Sequence, residues 1–224
     1  MELNKVYCGD CLEILPMIYD KFKKVIIVTD PPFNVGYHYN EYKDNLVENE
    51  YYKMLKDIFQ YGKFVVIHYP ENIYKIAFNV GCFPEKVVSW VYNSNTPKQH
   101  RDIAFFGIKP DFTKMSQPYK NIKDKRIQKR IKEGKTARLY DWWEINQVKN
   151  VSVEKTNHPC QMPIEVMKRV IGILPEDYLI VDPFLGSGTT AVACQELHRN
   201  FIGIEISPEY CKIAEERLKQ KPLI

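Results

Sequence analysis

No stretch of the 224-residue sequence is apolar for long enough to span a bilayer, and the opening MELNKVYCGD has neither the basic nor the apolar region of a secretory leader. No membrane partner is expected, and the expected location is the cytoplasm. Cysteine is sparse: six residues at 8, 11, 82, 160, 194 and 211 do not make a disulfide scaffold. Cys8 and Cys11 form a lone C-x-x-C. Zinc would need a second pair or a histidine partner, and neither follows, so structural thiols and no metal site are expected. Glycine is scarce too, ten residues in all, and nowhere do they spell G-x-G-x-x-G. A dinucleotide site is disfavoured on that ground.

What is present is enough for one sizeable α/β core carrying an insertion, since 45% of the residues are hydrophobic and the length does not suit two comfortable domains. The net charge of +4 conceals an asymmetry. From Lys98 to Arg138 thirteen Lys and Arg face four Asp and Glu, while the remainder of the chain carries a net −5. Such clustering is either a solvated basic helix or a surface for a polyanion, and neutralising phosphates rewards the second.

The chain is organised around VIIVTDPPFNVGY, Val25 to Tyr37. Its β-branched start reads as a buried parallel strand, and two prolines that cannot join a ladder mark its end. Asp30, Pro31, Pro32 and Phe33 then sit at a strand's carboxyl end, where open α/β sheets bind ligands. An acid, bare carbonyls and an aromatic face suit a planar group with an amino function, as in a nucleobase. A structural proline turn is the plain alternative.

Before this strand, Lys5 to Cys8 reads as a short strand followed by a helix that Asp10 can cap. After it come a polar loop from Asn34 to Asn45, read as a mobile cover, a helix over Glu48 to Tyr61, a strand over Phe64 to His68 and a helix over Glu71 to Asn79. Val87 to Tyr92 and Ile103 to Ile108 are further strands, joined by a polar loop from Asn93 to His100. Met115 to Ala137 departs from the α/β pattern, with a helix in Lys123 to Lys132, and Leu139 to Trp143 supplies aromatics that anchor this insertion. Pro163 to Leu174 is an amphipathic helix; Tyr178 to Val181 is a buried strand running through Asp182 into Gly186-Ser187-Gly188; Phe201 to Ile206 is the last strand and Pro208 to Lys219 the last helix. Seven strands result. Glycines after one strand and an acid, Glu205, at the end of the next are the signature of an adenosine-type cofactor site.

DPPF at 30 to 33, HPCQMP at 158 to 163, DPFLGSGTT at 182 to 190 and GIEISPEY at 203 to 210 together resemble the β-type amino-methyltransferases of DNA, in motif order as well as in residues. GDCLEIL at 9 to 15 also resembles that family's segment against the cofactor adenine, so only about 98 to 150 lies outside the likeness. The resemblance implies a seven-stranded, mostly parallel methyltransferase (Rossmann-like) sheet with a small basic target-recognition insertion, the strands ending at Asp30 and Asp182 adjacent at its centre. It divides the chain into a catalytic half at 1–97, the insertion at 98–150, including a core edge strand near 103–109, and a cofactor half at 151–224. S-adenosylmethionine is the implied cofactor, with Phe184, Gly186, Ser187, Gly188 and Thr189 around it, Asp182 and His158 alongside, Glu205 on the ribose, and Asp10 and Cys11 bordering the adenine. Asp30, Pro31, Pro32 and Phe33 are the implied catalytic residues. DNA, double-stranded in expectation, is the implied partner, met by Lys98, Arg101, Lys125, Arg126, Lys129 and Arg130; a homodimer and a cognate restriction endonuclease are further partners to look for. HPCQMP departs from the family's usual HPTQKP at Cys160 and Met162, and Phe33 replaces the commoner tyrosine.

The expected reaction is direct in-line methyl transfer to adenine N6 of a base turned out of the duplex, Asp30 and Pro31 accepting from the NH2 group. Adenine is preferred because Asp-Pro-Pro resembles the adenine-modifying members; N4 of cytosine is the alternative. Attack by Cys160, suggested by Pro159-Cys160-Gln161, would place its motif before the glycines instead of after them and leave DPPF idle. Modification of a protein glutamine amide, for which the motif order would be reversed, and an inactive nucleic-acid-binding module are the remaining rivals.

Overall fold

A computed structural model describes residues 1–37, 41–149, 152 and 154–220. Its helices begin and end where local chemistry dictates. The Leu12 amide donates to Asp10 Oδ1 at 2.8 Å and opens α1 (Cys11–Lys21). Proline occupies the first turn of α3 (Pro70–Val80), and Gly81, at φ 80°, closes it in the left-handed conformation that glycine adopts without strain. Between these helices lie β2 (Val25–Thr29), α2 (Glu48–Phe59) and β3 (Phe64–His68), and β1 (Lys5–Cys8) precedes them. Every residue of β2 and β3 is buried, as strands covered on both faces require.

The chain continues through β4 (Lys86–Val91), β5 (His100–Phe106), β6 (Ser116–Gln117), α4 (Lys125–Lys132), β7 (Ala137–Arg138) and β8 (Trp142–Glu144). It returns as α5 (Ile164–Gly172), β9 (Leu179–Asp182), α6 (Thr189–Glu196), β10 (Phe201–Glu205) and α7 (Pro208–Lys219). Among the described residues eight strands form one sheet in the order β1-β10-β9-β2-β3-β5-β4-β8, and β6 with β7 forms a separate two-stranded ribbon. β1, β10, β9, β2 and β3 run parallel, whereas β5 is antiparallel to both its neighbours.

Alternation along the central strands divides the interior into two layers. Ile26, Val28, Val65, Ile67 and Ile180 face α5, α6 and α7; Val25, Ile27, Phe64, Val66 and Val181 face α1, α2 and α3. The sheet therefore carries one strand more than the seven expected. The added strand is β8, where the aromatic anchor pairs with β4, Trp143 opposite Trp90, and both indoles are buried with their N–H groups donating to Tyr140 O and Ile145 O.

A second difference concerns β5, expected as an edge strand starting at Ile103. It starts at His100 and lies inside the sheet between β3 and β4. Its polar beginning is tolerated because Arg101 opposes Trp90, and Asp102 opposes Ser89 and accepts from the Ser89 hydroxyl at 3.0 Å. The loop expected as a mobile cover is, over its described part, pinned by the buried Asp44. The amides of Asn34, Val35 and Tyr37 all donate to that carboxylate, and the Gly36 amide donates to its carbonyl. Residues 38–40 of that loop lie outside the described residues.

Gly188 sits at φ 84°, and a Cβ there would come within 2.8 Å of the Ala214 methyl on α7. Gly134, at φ 71°, has open space around it. Gly188→Ala is expected to cost about 1–3 kcal/mol of steric strain beyond the backbone penalty, and Gly134→Ala only about 1–2 kcal/mol for the left-handed backbone. Urea unfolding of both variants separates the two terms, and equal costs would show that α7 gives way freely.

Candidate active site

The strand order reverses direction between β2 and β9: β2 leads by α2 to β3 on one side, β9 by α6 to β10 on the other. Their carboxyl ends open the crevice where doubly wound sheets take their ligands. A cavity of about 420 Å³ fills it, bounded by residues that follow β1, β2, β9 and β10 and by the turn at 158–162.

On one side the cavity is built by carboxylates that hold backbone. Asp182 Oδ1 accepts from the Thr29 hydroxyl at 2.7 Å and the Phe184 amide at 3.0 Å, and Oδ2 accepts from the Thr190 hydroxyl at 2.5 Å. Burial pushes its pKa up to about 6, against those hydrogen bonds. Asp182 lines the cavity but is spent on shaping the glycine turn. Glu205 binds the Gly186 amide through Oε2 at 2.7 Å and the Ser207 amide through Oε1 at 2.9 Å, each oxygen keeping acceptor capacity for a ligand; burial raises its pKa. Gly186, at φ 53°, must be glycine because a Cβ would lie 2.9 Å from His158 Nε2. Phe184, Ser187, Thr189, Asp10 and Cys11 also line the cavity, as does His158, whose ring stands edge-on to Tyr210. Burial first, then Lys155 and Arg217, lower the His158 pKa to about 4, so the imidazole is neutral at pH 7; burial pushes the Cys11 thiol up to about 12.

Gly188 does not join them. Its amide donates to Leu185 O at 3.0 Å and its α-carbon packs on α7, so among the described residues it shapes the turn and does not line the cavity. Ser207, which no motif in the sequence singles out, carries a buried hydroxyl that reaches the cavity wall without a partner among the described residues. An orphaned hydroxyl beside a carboxylate with spare lone pairs is what a polyhydroxylated ligand such as a ribose would satisfy. These residues fit an adenosine-type cofactor.

The other side carries Asp30, Pro31, Pro32 and Phe33, all on the cavity. Asp30 Oδ1 is buried with no partner among the described residues, while Oδ2 lies 3.4 Å from Arg101 Nη1. Burial pushes the Asp30 pKa up to about 7, the Arg101 charge lowering it and Asp182 raising it. The Pro32 carbonyl accepts from the Tyr51 hydroxyl at 2.8 Å, so it is not the bare acceptor expected, whereas no bond to the Pro31 carbonyl occurs among the described residues. Phe33 is likewise not a bare platform. His68 stacks on it at 4.2 Å, Tyr69 meets it edge-on and the Arg101 guanidinium lies over it at 4.6 Å. The Tyr69 amide donates to His68 Nδ1 at 2.8 Å, which leaves the ring proton on Nε2, 3.0 Å from the Tyr51 oxygen. Burial, before the Arg101 charge, lowers the His68 pKa to about 3, so a neutral imidazole backs Phe33. His68 and Tyr51 were missed; that His68 ends an apolar strand at the same edge as Asp30 was the available signal.

The basic residues expected on DNA do not form one group. Arg101 is in β5 and within the site, its side chain 15% exposed, and is not part of an open loop surface. Lys98 pairs with Glu71 at 2.8 Å and lies 3.8 Å over the Tyr69 ring, at the rim. Lys125, Arg126, Lys129 and Arg130 are all exposed on α4, with Arg126 tied back to Asp124, the helix N-cap, at 2.8 Å.

The family described as DNA methylase matches residues 25–216. DNA adenine methyltransferase YhdJ of Escherichia coli (strain K12) is 27% identical over 97% of this chain and 83% of its own. Among solved structures, M1.HpyAVI in complex with SAM superposes with a TM-score of 0.66 at 25% identity, covering 96% of this chain and 99% of that one. PvuII DNA methyltransferase (cytosine-N4-specific) shares the fold, with a TM-score of 0.69 at 21% identity over 98% and 87% of the two chains. The chain belongs to the DNA methylase family, and S-adenosylmethionine is its methyl donor.

With its pKa raised from 3.8 to about 7, Asp30 keeps a proton in the folded chain that the unfolded chain loses. Its contribution to stability is therefore full below the unfolded value and declines as pH rises to about 7. Asp30→Asn removes this dependence. The unfolding free energy of the variant relative to the native chain is expected to rise between pH 4 and 7 and to level off above; a constant difference across that range in denaturant titrations would mean that Asp30 titrates normally.

Proposed function

We propose that the chain methylates the exocyclic N6 of adenine in DNA, the base being turned out of the duplex into the slot beside Asp30. The observation that carries this reading is the buried, unpartnered Asp30 Oδ1 on the wall of the cofactor cavity, which the adjoining Pro31 also lines. An amine attached to a conjugated ring is a poor nucleophile because its lone pair is drawn into the ring. Two acceptors that hold both NH2 hydrogens favour a pyramidal nitrogen, aim its lone pair and stabilise the positive charge that develops on it. Bound S-adenosylmethionine supplies the electrophilic methyl group. Pro31 and Pro32 fix the backbone of the acceptor corner, Tyr51 locks it through the Pro32 carbonyl, and Glu205 with Ser207 orients the cofactor from its hydroxyl end.

Adenine is favoured by the Asp-Pro-Pro form of the corner and by the likeness to a DNA adenine methyltransferase. The N4 of cytosine is the second reading, since the same fold serves a cytosine-N4-specific enzyme and both bases present an amine to the same acceptors. Duplex DNA as substrate, with α4 on its phosphates, belongs to the same proposal. Lys125, Lys129 and Arg130 support it, because α4 buries none of its residues in the core.

Incubation with labelled S-adenosylmethionine and mixed-sequence DNA, followed by digestion to nucleosides, is expected to yield N6-methyladenine; N4-methylcytosine would replace adenine as the target. Asp30→Ala is expected to abolish transfer in a folded chain that still binds the cofactor, and near-native turnover would remove Asp30 from the mechanism. Neutralising Lys125, Lys129 and Arg130 is expected to lower the log–log salt slope of duplex binding by about 0.9 for each phosphate that the variant no longer neutralises. An unchanged slope, read by fluorescence anisotropy, would take α4 off the DNA.

A further inference from the structure

Arg101 holds a position that its surroundings do not explain as a permanent ion pair. A guanidinium and a carboxylate built to stay together meet through two parallel bonds of about 2.7–2.9 Å. Here a single contact of 3.4 Å joins Arg101 Nη1 to Asp30 Oδ2, while Asp30 Oδ1 and Arg101 Nε are both buried and unpartnered among the described residues. The other polar partner of Arg101 is the Tyr92 hydroxyl, and the remaining neighbours are soft or aromatic. Met162 Sδ lies 3.5 Å from Nη1, and the guanidinium carbon lies 4.6 Å from the Phe33 ring centre, 5.3 Å from that of Trp90 and 6.0 Å from that of Tyr92.

A guanidinium is planar, offers a π-face and carries its N–H donors in its own plane. An adenine or cytosine amine reacting in this site needs those same three properties against the same two groups, a face on Phe33 and in-plane N–H bonds to Asp30. Both cannot occupy the place at once. We propose that Arg101 is a surrogate for the target base: in the base-free enzyme its guanidinium fills the slot over Phe33 and beside Asp30, and it withdraws when the base enters. The inference rests on the reading of Asp30 as the amine acceptor. Occupancy by the cation explains how an unliganded site keeps a buried carboxylate and an aromatic pocket open to the base without collapse or flooding. Looseness of the pair explains how it leaves. Arg101 is the second residue of β5, directly after the polar loop at 93–99, so its long side chain is anchored at the sheet's rim and can swing outward toward phosphate without disturbing the strand pairing.

The test is calorimetric titration of adenosine and, separately, cytidine into the native chain, Arg101→Ala, Asp30→Ala and the double variant. All are saturated with S-adenosylhomocysteine, which closes the cofactor site to the nucleoside, and held at pH 9, above the value of about 7 to which Asp30 is raised in the native chain. Vacating the slot is expected to raise affinity for at least one nucleoside tenfold or more in Arg101→Ala, and Asp30→Ala in that background is expected to cancel the gain. A merely structural arginine would give no gain on removal. Equal or weaker binding by Arg101→Ala, or a gain that survives loss of Asp30, overturns the surrogate role. Should Arg101→Ala fail to fold, Arg101→Lys keeps the charge without the plane and is expected to give a smaller gain of the same sign; no gain overturns the proposal. Methyl transfer to mixed-sequence DNA judges the underlying reading separately: an active Asp30→Ala removes the acceptor role whatever the titrations report, whereas an inactive Asp30→Ala with no gain from Arg101→Ala removes the surrogate alone.

Discussion

The architecture of the site depends on one buried carboxylate. Asp182 ties the end of β2 to the end of β9 through the Thr29 hydroxyl, and with its remaining capacity holds the Phe184 amide and the Thr190 hydroxyl on either side of the glycine turn. The corner at Asp30–Phe33 follows Thr29 directly, so the position of Asp30 relative to the glycine turn is set by bonds that Asp182 makes. Three short bonds in a dry interior offset the cost of burying the charge, and removing any donor would expose that cost. The same arrangement places two raised carboxyl groups, Asp30 and Asp182, at neighbouring strand ends, and the charge of Asp182 adds to the cost of ionising Asp30.

Around this strut the protein divides its polar groups by duty. Those that shape the backbone are heavily engaged: Asp182 on the turn, Asp44 on the amides of the loop at 34–37, Arg199 on three carbonyls at 171, 175 and 178. Other groups on the same cavity keep something in reserve, as with Asp30 Oδ1, the Ser207 hydroxyl and the spare lone pairs of Glu205. A polar atom left unmet in a buried site is costly, so these three mark where binding energy is to be gained.

Much of this was legible in the residues. Apolar runs that stop at Asp30, His68, Asp182 and Glu205 mark four strand ends, and a proline within three residues of each gives the direction of the edge. The strand over Val25–Thr29, the Asp10 cap and the helix of basic residues at Lys125–Lys132 appear where periodicity and capping place them. What pairing alone decides was not legible. Nothing local tells that β5 inserts between β3 and β4, that Trp142–Glu144 is a strand, or that Gly188 turns its α-carbon to α7 while Gly186 turns to His158. Arg101 shows the limit most plainly. In a basic stretch it reads as a phosphate contact, and only its register opposite Trp90 brings it to Asp30.

The placement of β5, β4 and β8 side by side has a consequence for how such a chain can diversify. The segment from Gly107 to Asp141 leaves the sheet at the end of β5 and rejoins it at β8, with only β4 between them. With strands about 4.8 Å apart and about 3.3 Å of rise per residue, its two stems, two strands apart and about four residues out of register, are on the order of 16 Å from each other. Its stems contribute Ile108 and Leu139 to the core, and inside them β6 pairs with β7, Ser116 opposite Arg138, so the stretch at 118–136 that this pair closes behaves as a cassette. Its length and sequence can be exchanged at the cost of closing one loop, which grows only with the logarithm of loop length, while β2, β9 and the chemistry between them keep their register.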